Sequence, residues 1–158
     1  MARFDRKTFF DGFRVFLNRR GRDLDQSRVD ALEVLLKRFE GTPVWKDIRH
    51  VAYALATISA ETAWTYRPIG EYGSEAYFRK YDGREGLGNT QPGDGARFKG
   101  RGYVQITGRR NYSRFSTLLQ VDLLANPALA LDPEISFKIM SIGMFNGVFT
   151  GKKLAQYI

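Results

Sequence analysis

The stretch from Asn89 to Tyr112, NTQPGDGARFKGRGYVQITGRRNY, constrains the fold more than any other part of the chain. Gly93, Gly95, Gly100 and Gly102 lie too close together for a regular helix or a long strand, because each glycine carries a large chain-entropy cost on ordering. The segment therefore reads as a shaped loop leading into a short strand. Tyr103, Gln105 and Thr107 alternate with Val104 and Ile106, which predicts a strand with one polar and one apolar face. Such a loop usually holds a ligand. Arg97, Lys99, Arg101, Arg109 and Arg110, interleaved with Phe98, Tyr103 and Tyr112, suit any anionic or planar partner, nucleic acid included.

Around this loop the periodicity is helical. Phe9, Phe10, Phe13, Val15 and Phe16 mark a first amphipathic helix that Arg19, Arg20 and Gly21 close. Val29, Leu32, Leu36 and Phe39 mark a second, with Gly41 as its expected C-terminal cap. Thr42 and Pro43 are expected to start a third, because threonine caps free N–H groups and proline fits the first turn. Its predicted inner face is Ile48, Val51, Leu55 and Ile58, and Glu61 falls near its end, a few residues before Pro68. Tyr112, Phe115 and Leu118 suggest another helix that Asn111 could cap. Asp132 and Pro133 start a last apolar helix, Ile135 to Phe145, predicted to be central in the core. With 158 residues, 43% hydrophobic content and no shift in composition, a single domain over residues 1–158 is expected.

Composition narrows the chemistry. The chain has no cysteine and His50 is the single histidine, which excludes a disulfide framework and a thiolate or multi-histidine metal site, and His50 is read as structural or solvated, so a Ser/His pair is not expected. Carboxylates remain. The spaced glycines include no GxxxxGK[ST] run and no βαβ pattern surrounds them, so a nucleotide site is not expected. A net charge of +8 favours an anionic partner such as a cell wall, nucleic acid or membrane surface. No apolar run approaches the roughly 20 residues that cross a bilayer, and charges interrupt MARFDRKTFFDGFRVF, so neither membrane insertion nor a secretion signal is expected.

The run GRGYVQITGRRNY, preceded by SAETAW and LGNTQPGDG, resembles the family 19 glycoside hydrolases, the plant-type chitinase group, and most closely its phage endolysin branch. The family signature is Gly-Arg-Gly, an aromatic or proline, an apolar residue, Gln, an apolar residue, Ser or Thr, and four positions later Asn-Tyr. Gly100, Arg101, Gly102, Tyr103, Val104, Gln105, Ile106, Thr107, Asn111 and Tyr112 fill it. The N-terminal FFDGFRVFLNRRGRDLDQSRVDALEVLLKRFEG also looks like the opening helices of such endolysins. The resemblance implies a mainly α, lysozyme-like helical domain with a small β element next to the active-site cleft. It implies hydrolysis of β-1,4 bonds between N-acetylated sugars, without cofactor or metal. Family members usually continue beyond GVFTGKKLAQYI with helices carrying an arginine, so the usual C-terminal helices are expected to be missing here.

Within the resemblance, Glu61 falls on the general acid and Glu71 on the general base of the endolysin branch. Glu61 sits beside Trp64 and near the negative end of a helix, where the neutral form is favoured, as a general acid requires. Inverting glycosidases hold two carboxyls about 6.5–9.5 Å apart, with a water between base and sugar. Glu75 and Glu85 share the loop with Glu71 and stay open as alternatives for the base. Thr107 matches the residue that helps hold the attacking water, a task suited to a hydroxyl that both donates and accepts. Gln105, Asn111 and Arg101 match substrate-contacting or signature positions. Among Tyr66, Tyr72, Tyr77, Phe78, Tyr81 and Tyr103, Tyr103 is the expected sugar-stacking platform.

The resulting expectation is an endolysin-like muramidase that cleaves peptidoglycan with inversion. A chitinase acting on chitin oligomers, a lytic transglycosylase and a truncated, inactive cell-wall-binding protein are the alternatives. Peptidoglycan or a chitin-type polysaccharide is the expected partner, with no nucleic acid, and a monomer is expected. The resemblance further implies synthesis in the host bacterial cytoplasm and action at the periplasmic cell wall after holin-type release.

Overall fold

A computed structural model describes residues 3–158. Contacts divide the chain into two compact units, one ending at Tyr66 and grouped with Ile158, the other running from Arg67 to Tyr157. Among the described residues the architecture is mainly helical with one small two-stranded sheet.

The described residues of the first unit include the helices α1 (Arg6–Asn18), α2 (Gln26–Gly41) and α3 (Ile48–Glu61). An aspartate caps each start. Asp5, Asp25 and Asp47 accept the backbone N–H of Thr8, Arg28 and Arg49, satisfying donors that a helix N-terminus leaves free. Leu17, Leu32, Leu35, Leu36, Phe39, Trp45, Val51, Ala54 and Ile58 are buried, and the Phe39 and Trp45 rings meet edge to face at 4.8 Å. Arg6 links α1 to α2 through Glu33 and Glu40.

The third helix starts later than Thr42 and Pro43 suggest. Those residues open a separate short 3-10 turn, Pro43–Trp45, which buries Trp45, and Asp47 caps α3 instead. Consequently Ile48 is 59% exposed and does not belong to the inner face. Gly41 remains inside α2, and Thr42 leaves the helix in an extended conformation, so no left-handed glycine cap forms. On α1, Val15 faces solvent and Leu17 is buried in its place. Phe9 stacks on Phe13, which is tilted against Phe16, and the three rings with Ala52, Leu55, Ser59 and Tyr66 line an open apolar groove of about 360 Å³. His50 is buried.

In the second unit, strand β1 (Ile69–Gly70) pairs antiparallel with β2 (Arg101–Gly102), placing Ile69 opposite Gly102 and Gly70 opposite Arg101. The strand expected over Tyr103 to Thr107 is a turn. The chain reverses after Gly102, and Arg101 and Ile106 exchange backbone hydrogen bonds of 3.2 and 3.0 Å. Gly102 (φ 94°) and Gln105 (φ 49°) take left-handed conformations to make that reversal. Gly102 also has no room for a side chain, since a Cβ would stand 2.7 Å from Ser136 Oγ and 3.0 Å from the Ala130 carbonyl. The alternation of apolar and polar residues thus arises from a turn that sends Tyr103 and Ile106 inward.

Helix α4 (Glu75–Phe78) and helix α5 (Asp94–Arg97) are single turns, followed by α6 (Arg109–Leu119) and α7 (Pro133–Phe145). Helix α7 is the core helix of this unit, with Ser136, Phe137, Ile139, Met140, Gly143 and Met144 buried. Its start matches the sequence expectation, with Asp132 accepting from Glu134 and Ile135 N–H and Pro133 in the first turn. Phe98, Ile106, Tyr112, Phe115, Leu123 and Ala130 pack with Ile139. Gly108, not Asn111, precedes α6; its φ is 88°, and a Cβ there would lie 2.6 Å from the Leu87 carbonyl. No helix among the described residues is long and apolar enough to cross a membrane.

Polar clamps hold the irregular segment between α4 and β2. Asp82 accepts the N–H groups of Gly95 and Gly93 at 2.7 and 3.1 Å. Buried Asn89 donates to the Tyr81 carbonyl and accepts from Arg109 N–H, tying the segment to the start of α6. A Cβ on Gly95 would stand 2.1 Å from the Phe78 carbonyl, which is backbone and fixed, whereas on Gly143 it would meet only the half-exposed Phe149 ring. Gly95→Ala is therefore expected to lower the unfolding free energy by about 1–3 kcal/mol. Gly143→Ala is expected to change it by less than about 1 kcal/mol, because the ring can swing out and alanine favours the helix. Urea denaturation of both variants measures the contrast.

Candidate active site

Glu71 directly follows β1 and extends its pairing. Its backbone N–H donates to the Gly100 carbonyl at 2.7 Å. Its carboxylate turns back onto the same residue, Oε2 accepting from Gly100 N–H at 3.1 Å, while Oε1 accepts from the Tyr81 hydroxyl at 3.2 Å. Gly100 is where the polar groups converge. A Cβ there would lie 2.8 Å from Gln105 Oε1 and 3.3 Å from both Glu71 Oε2 and Thr107 Oγ1. Only glycine lets a carboxylate, an amide oxygen and a hydroxyl meet over the backbone at this point.

The half-buried Thr107 hydroxyl donates to the Gln105 carbonyl at 3.0 Å, which leaves its oxygen lone pairs able to accept from a water. Gln105 donates both amide hydrogens to backbone, at 2.7 Å to Ile69 O and 2.9 Å to Gly102 O, so only its Oε1 remains for a ligand. Asn111 donates to the Thr107 carbonyl at 2.8 Å and so steadies that residue from the first turn of α6.

Two expected substrate contacts are engaged within the fold. Tyr103 is 1% exposed and its N–H donates to buried Ser136 Oγ, so its ring offers no face to a sugar. Arg101 points into the loop, where it donates to the carbonyls of Arg97 and Lys99 and to the Tyr112 hydroxyl. The other guanidiniums of the loop behave alike. Arg97 donates to Leu124 O, Arg110 to Glu85 O and Gly86 O, and Arg109 pairs with buried Asp94. The basic run that suggested an anionic partner is largely a set of internal braces for a glycine-rich loop.

Glu61 belongs to the first unit, as the last residue of α3. Its side chain reaches the surface, yet burial of its surroundings raises its pKa above the ordinary glutamate value, which favours the neutral form. Directly behind it, Thr62 is fully buried, donates to Ile58 O and accepts from Tyr66 N–H. Ala63, Trp64 and Tyr66 all adopt positive φ, between 50° and 65°. Left-handed conformations in non-glycine residues cost about 1–2 kcal/mol each, and such strain concentrates at functional sites. The Trp64 ring, expected to shield Glu61, packs on Phe16 at 6.1 Å and lies under Arg22.

Of the alternative carboxylates, Glu75 is exposed at the start of α4 and lines an open cleft of about 700 Å³ with Arg79, Asp82 and Arg97. Glu85 is exposed in a short 3-10 turn. The nearest side chains over Gly100 are those of Gln105, Glu71 and Thr107. Sequence reading missed the role of Tyr81, which no spacing rule reveals, and undervalued Tyr72, whose ring is 80% exposed next to Glu71. Among the described residues no group of three or more His, Cys, Asp or Glu side chains is placed to hold a metal ion.

A helical lysozyme-like domain, with a carboxylate, a threonine and a glutamine gathered beside a short β pair, falls in the class of glycoside hydrolase folds. Comparisons with known proteins make the class specific. The chain is 38% identical over 98 residues to Endochitinase 4 of Solanum tuberosum, a match covering 57% of this chain and 32% of that protein. It is 44% identical over 45 residues to a glycosyl hydrolase family 19 domain-containing protein of Haemophilus influenzae, covering 28% of this chain and 22% of that protein. The fold is similar to chitinase C from Streptomyces griseus HUT6037, with a TM-score of 0.51, 28% sequence identity, and coverage of 76% of this chain and 56% of that one. No protein-family model matches the chain. The chain spans about a third or less of the length of the curated relatives it matches. In sequence and fold the chain is thus similar to chitinases and to a family 19 glycosyl hydrolase domain protein.

Proposed function

We propose that this protein is a glycoside hydrolase that cleaves β-1,4 bonds between N-acetylated sugars with inversion at the anomeric carbon. Glu61 is the general acid and Glu71 the general base. The neutral Glu61 carboxyl gives its proton to the glycosidic oxygen as the bond to the anomeric carbon breaks. A water accepted by Thr107 attacks from the opposite face and passes a proton to Glu71, leaving a hemiacetal of inverted configuration. The observation that carries this reading is the convergence of Glu71 Oε2, Thr107 Oγ1 and Gln105 Oε1 over Gly100. A water there would meet one base and one hydroxyl, and the Gln105 oxygen is free to accept an acetamido N–H.

Peptidoglycan is the substrate we favour, because a net charge of +8 suits an anionic wall, and action at the bacterial cell wall is part of the same proposal. Chitin-type oligomers are the second reading, favoured by the names of the relatives, an endochitinase and a chitinase. Release of reducing ends from purified peptidoglycan and from chitin oligomers, by wild type and Glu71→Gln, tests both. Release from peptidoglycan, reduced about 10²–10⁴-fold in Glu71→Gln, is the expected result. Turnover retained in Glu71→Gln with an anhydro-sugar product would establish a transglycosylase instead. Wall binding with release of neither reducing ends nor anhydro sugars would establish a binding protein.

A further inference from the structure

We propose that Tyr81 is a positioning residue for Glu71, holding its carboxylate in the orientation that turns Oε2 toward Thr107. The inference rests on the reading of Glu71 as general base.

The backbone of Glu71 is fixed by its bond to the Gly100 carbonyl, but the terminal torsion of a glutamate is broad and roughly two-fold. One hydrogen bond, from Gly100 N–H to Oε2, would leave the carboxylate free to swing about that contact. The Tyr81 hydroxyl closes the second oxygen at 3.2 Å, and two donors on opposite oxygens define a single plane. With that plane set, Oε2 is on the side of the Thr107 hydroxyl and the Gln105 oxygen.

Tyr81 is itself held well enough to do this. Its carbonyl accepts from buried Asn89, whose side-chain oxygen accepts from Arg109 N–H at the start of α6. Its ring stacks on Phe78, which is 2% exposed, with centroids 6.4 Å apart. Lys80 Nζ lies 4.8 Å and the Arg84 guanidinium 5.2 Å from the ring centroid, adding cation–π contacts on a half-buried ring. Apart from a hydrogen bond with Lys80, none of these contacts involves the hydroxyl, so Tyr81→Phe removes the bonds to Glu71 and Lys80 and keeps the packing of the ring and the backbone tie to Asn89.

The test is steady-state kinetics of wild type, Tyr81→Phe, Glu71→Gln and the double variant on a soluble N-acetylated oligosaccharide, with a crystal structure of Tyr81→Phe. Loss of one hydrogen bond to a charged group is expected to lower kcat at least about tenfold, with KM within about twofold and Tm nearly unchanged. The same change in the Glu71→Gln background is expected to have no further effect, because coupled residues are not additive. The crystal structure is expected to show the Glu71 carboxylate rotated away from Gly100. Unchanged kcat in Tyr81→Phe, an equal loss in both backgrounds, or an unmoved carboxylate would overturn the proposal alone. Wild-type kcat in Glu71→Gln would overturn the base reading and this proposal with it.

Discussion

Glu61→Gln is expected to lower kcat by about 10²–10⁴-fold, the usual contribution of a positioned general acid, while the protein stays folded. The amide keeps the shape of the carboxylic acid and its position at the end of α3, but it cannot deliver a proton. Burial raises the Glu61 pKa above 4.5, and as the proposed general acid this group is expected to set the alkaline limb of the wild-type kcat/KM profile. The same shift fixes the sign for stability. The folded protein holds the proton more tightly than the unfolded chain does. Its stability therefore falls as pH rises from about 4.5 through the folded pKa, and glutamine escapes that loss. Glu61→Gln is accordingly expected to melt at or slightly above the wild-type temperature at pH 7 and at the same temperature near pH 3.5. Wild-type kcat in this variant would remove Glu61 from the mechanism.

Arg109→Ala is expected to cause the largest loss of stability, about 3–5 kcal/mol, because it leaves a buried charge without its partner. The Asp94 side chain is 2% exposed and receives Arg109 Nη2 at 2.5 Å and Nε at 2.8 Å, together with Thr90 and Gln91 N–H. The Arg109 guanidinium, ahead of the backbone donors, holds the Asp94 pKa below its usual 3.8. A depressed carboxylate contributes stability that is full above about 3.8 and fades as pH falls through the folded value. The gap between wild type and Arg109→Ala in urea denaturation should therefore be wide at pH 7 and narrow below pH 3. An equal gap at both values would mean that the ion pair is not what Arg109 contributes.

The positions of the long helices were legible because apolar spacing and aspartate caps are local signals. Leu32, Leu36, Phe39, Val51 and Ile58 are buried as their periodicity suggests, and Asp132 with Pro133 opens α7. Thr42 and Pro43 misled because they mimic a helix start, while the burial of Trp45, a tertiary outcome, and the local cap from Asp47 move that start downstream. The alternating run from Tyr103 to Thr107 misled for a related reason. A tight turn with two left-handed residues produces the same in-and-out pattern as a strand, and the side chain it buried was the aromatic expected to meet sugar. In the site, Gln105 and Thr107 stood out through the signature motif, and Glu71 through the resemblance to the endolysin branch, with Glu75 and Glu85 as alternatives. The meeting of Glu71, Gln105 and Thr107 over Gly100 depends on a β pairing between residues about thirty positions apart, which composition cannot reveal. Tyr81 was hidden because its role depends on which way a carboxylate turns.

Proton NMR of the first product released by wild type from a soluble N-acetylated oligosaccharide, recorded before mutarotation, tests the central claim most directly. The account predicts the α-anomer as the initial product of β-bond cleavage, since water held at Thr107 and Glu71 attacks the face opposite the leaving group. An initial β-anomer, or an anhydro sugar with no free reducing end, would contradict it.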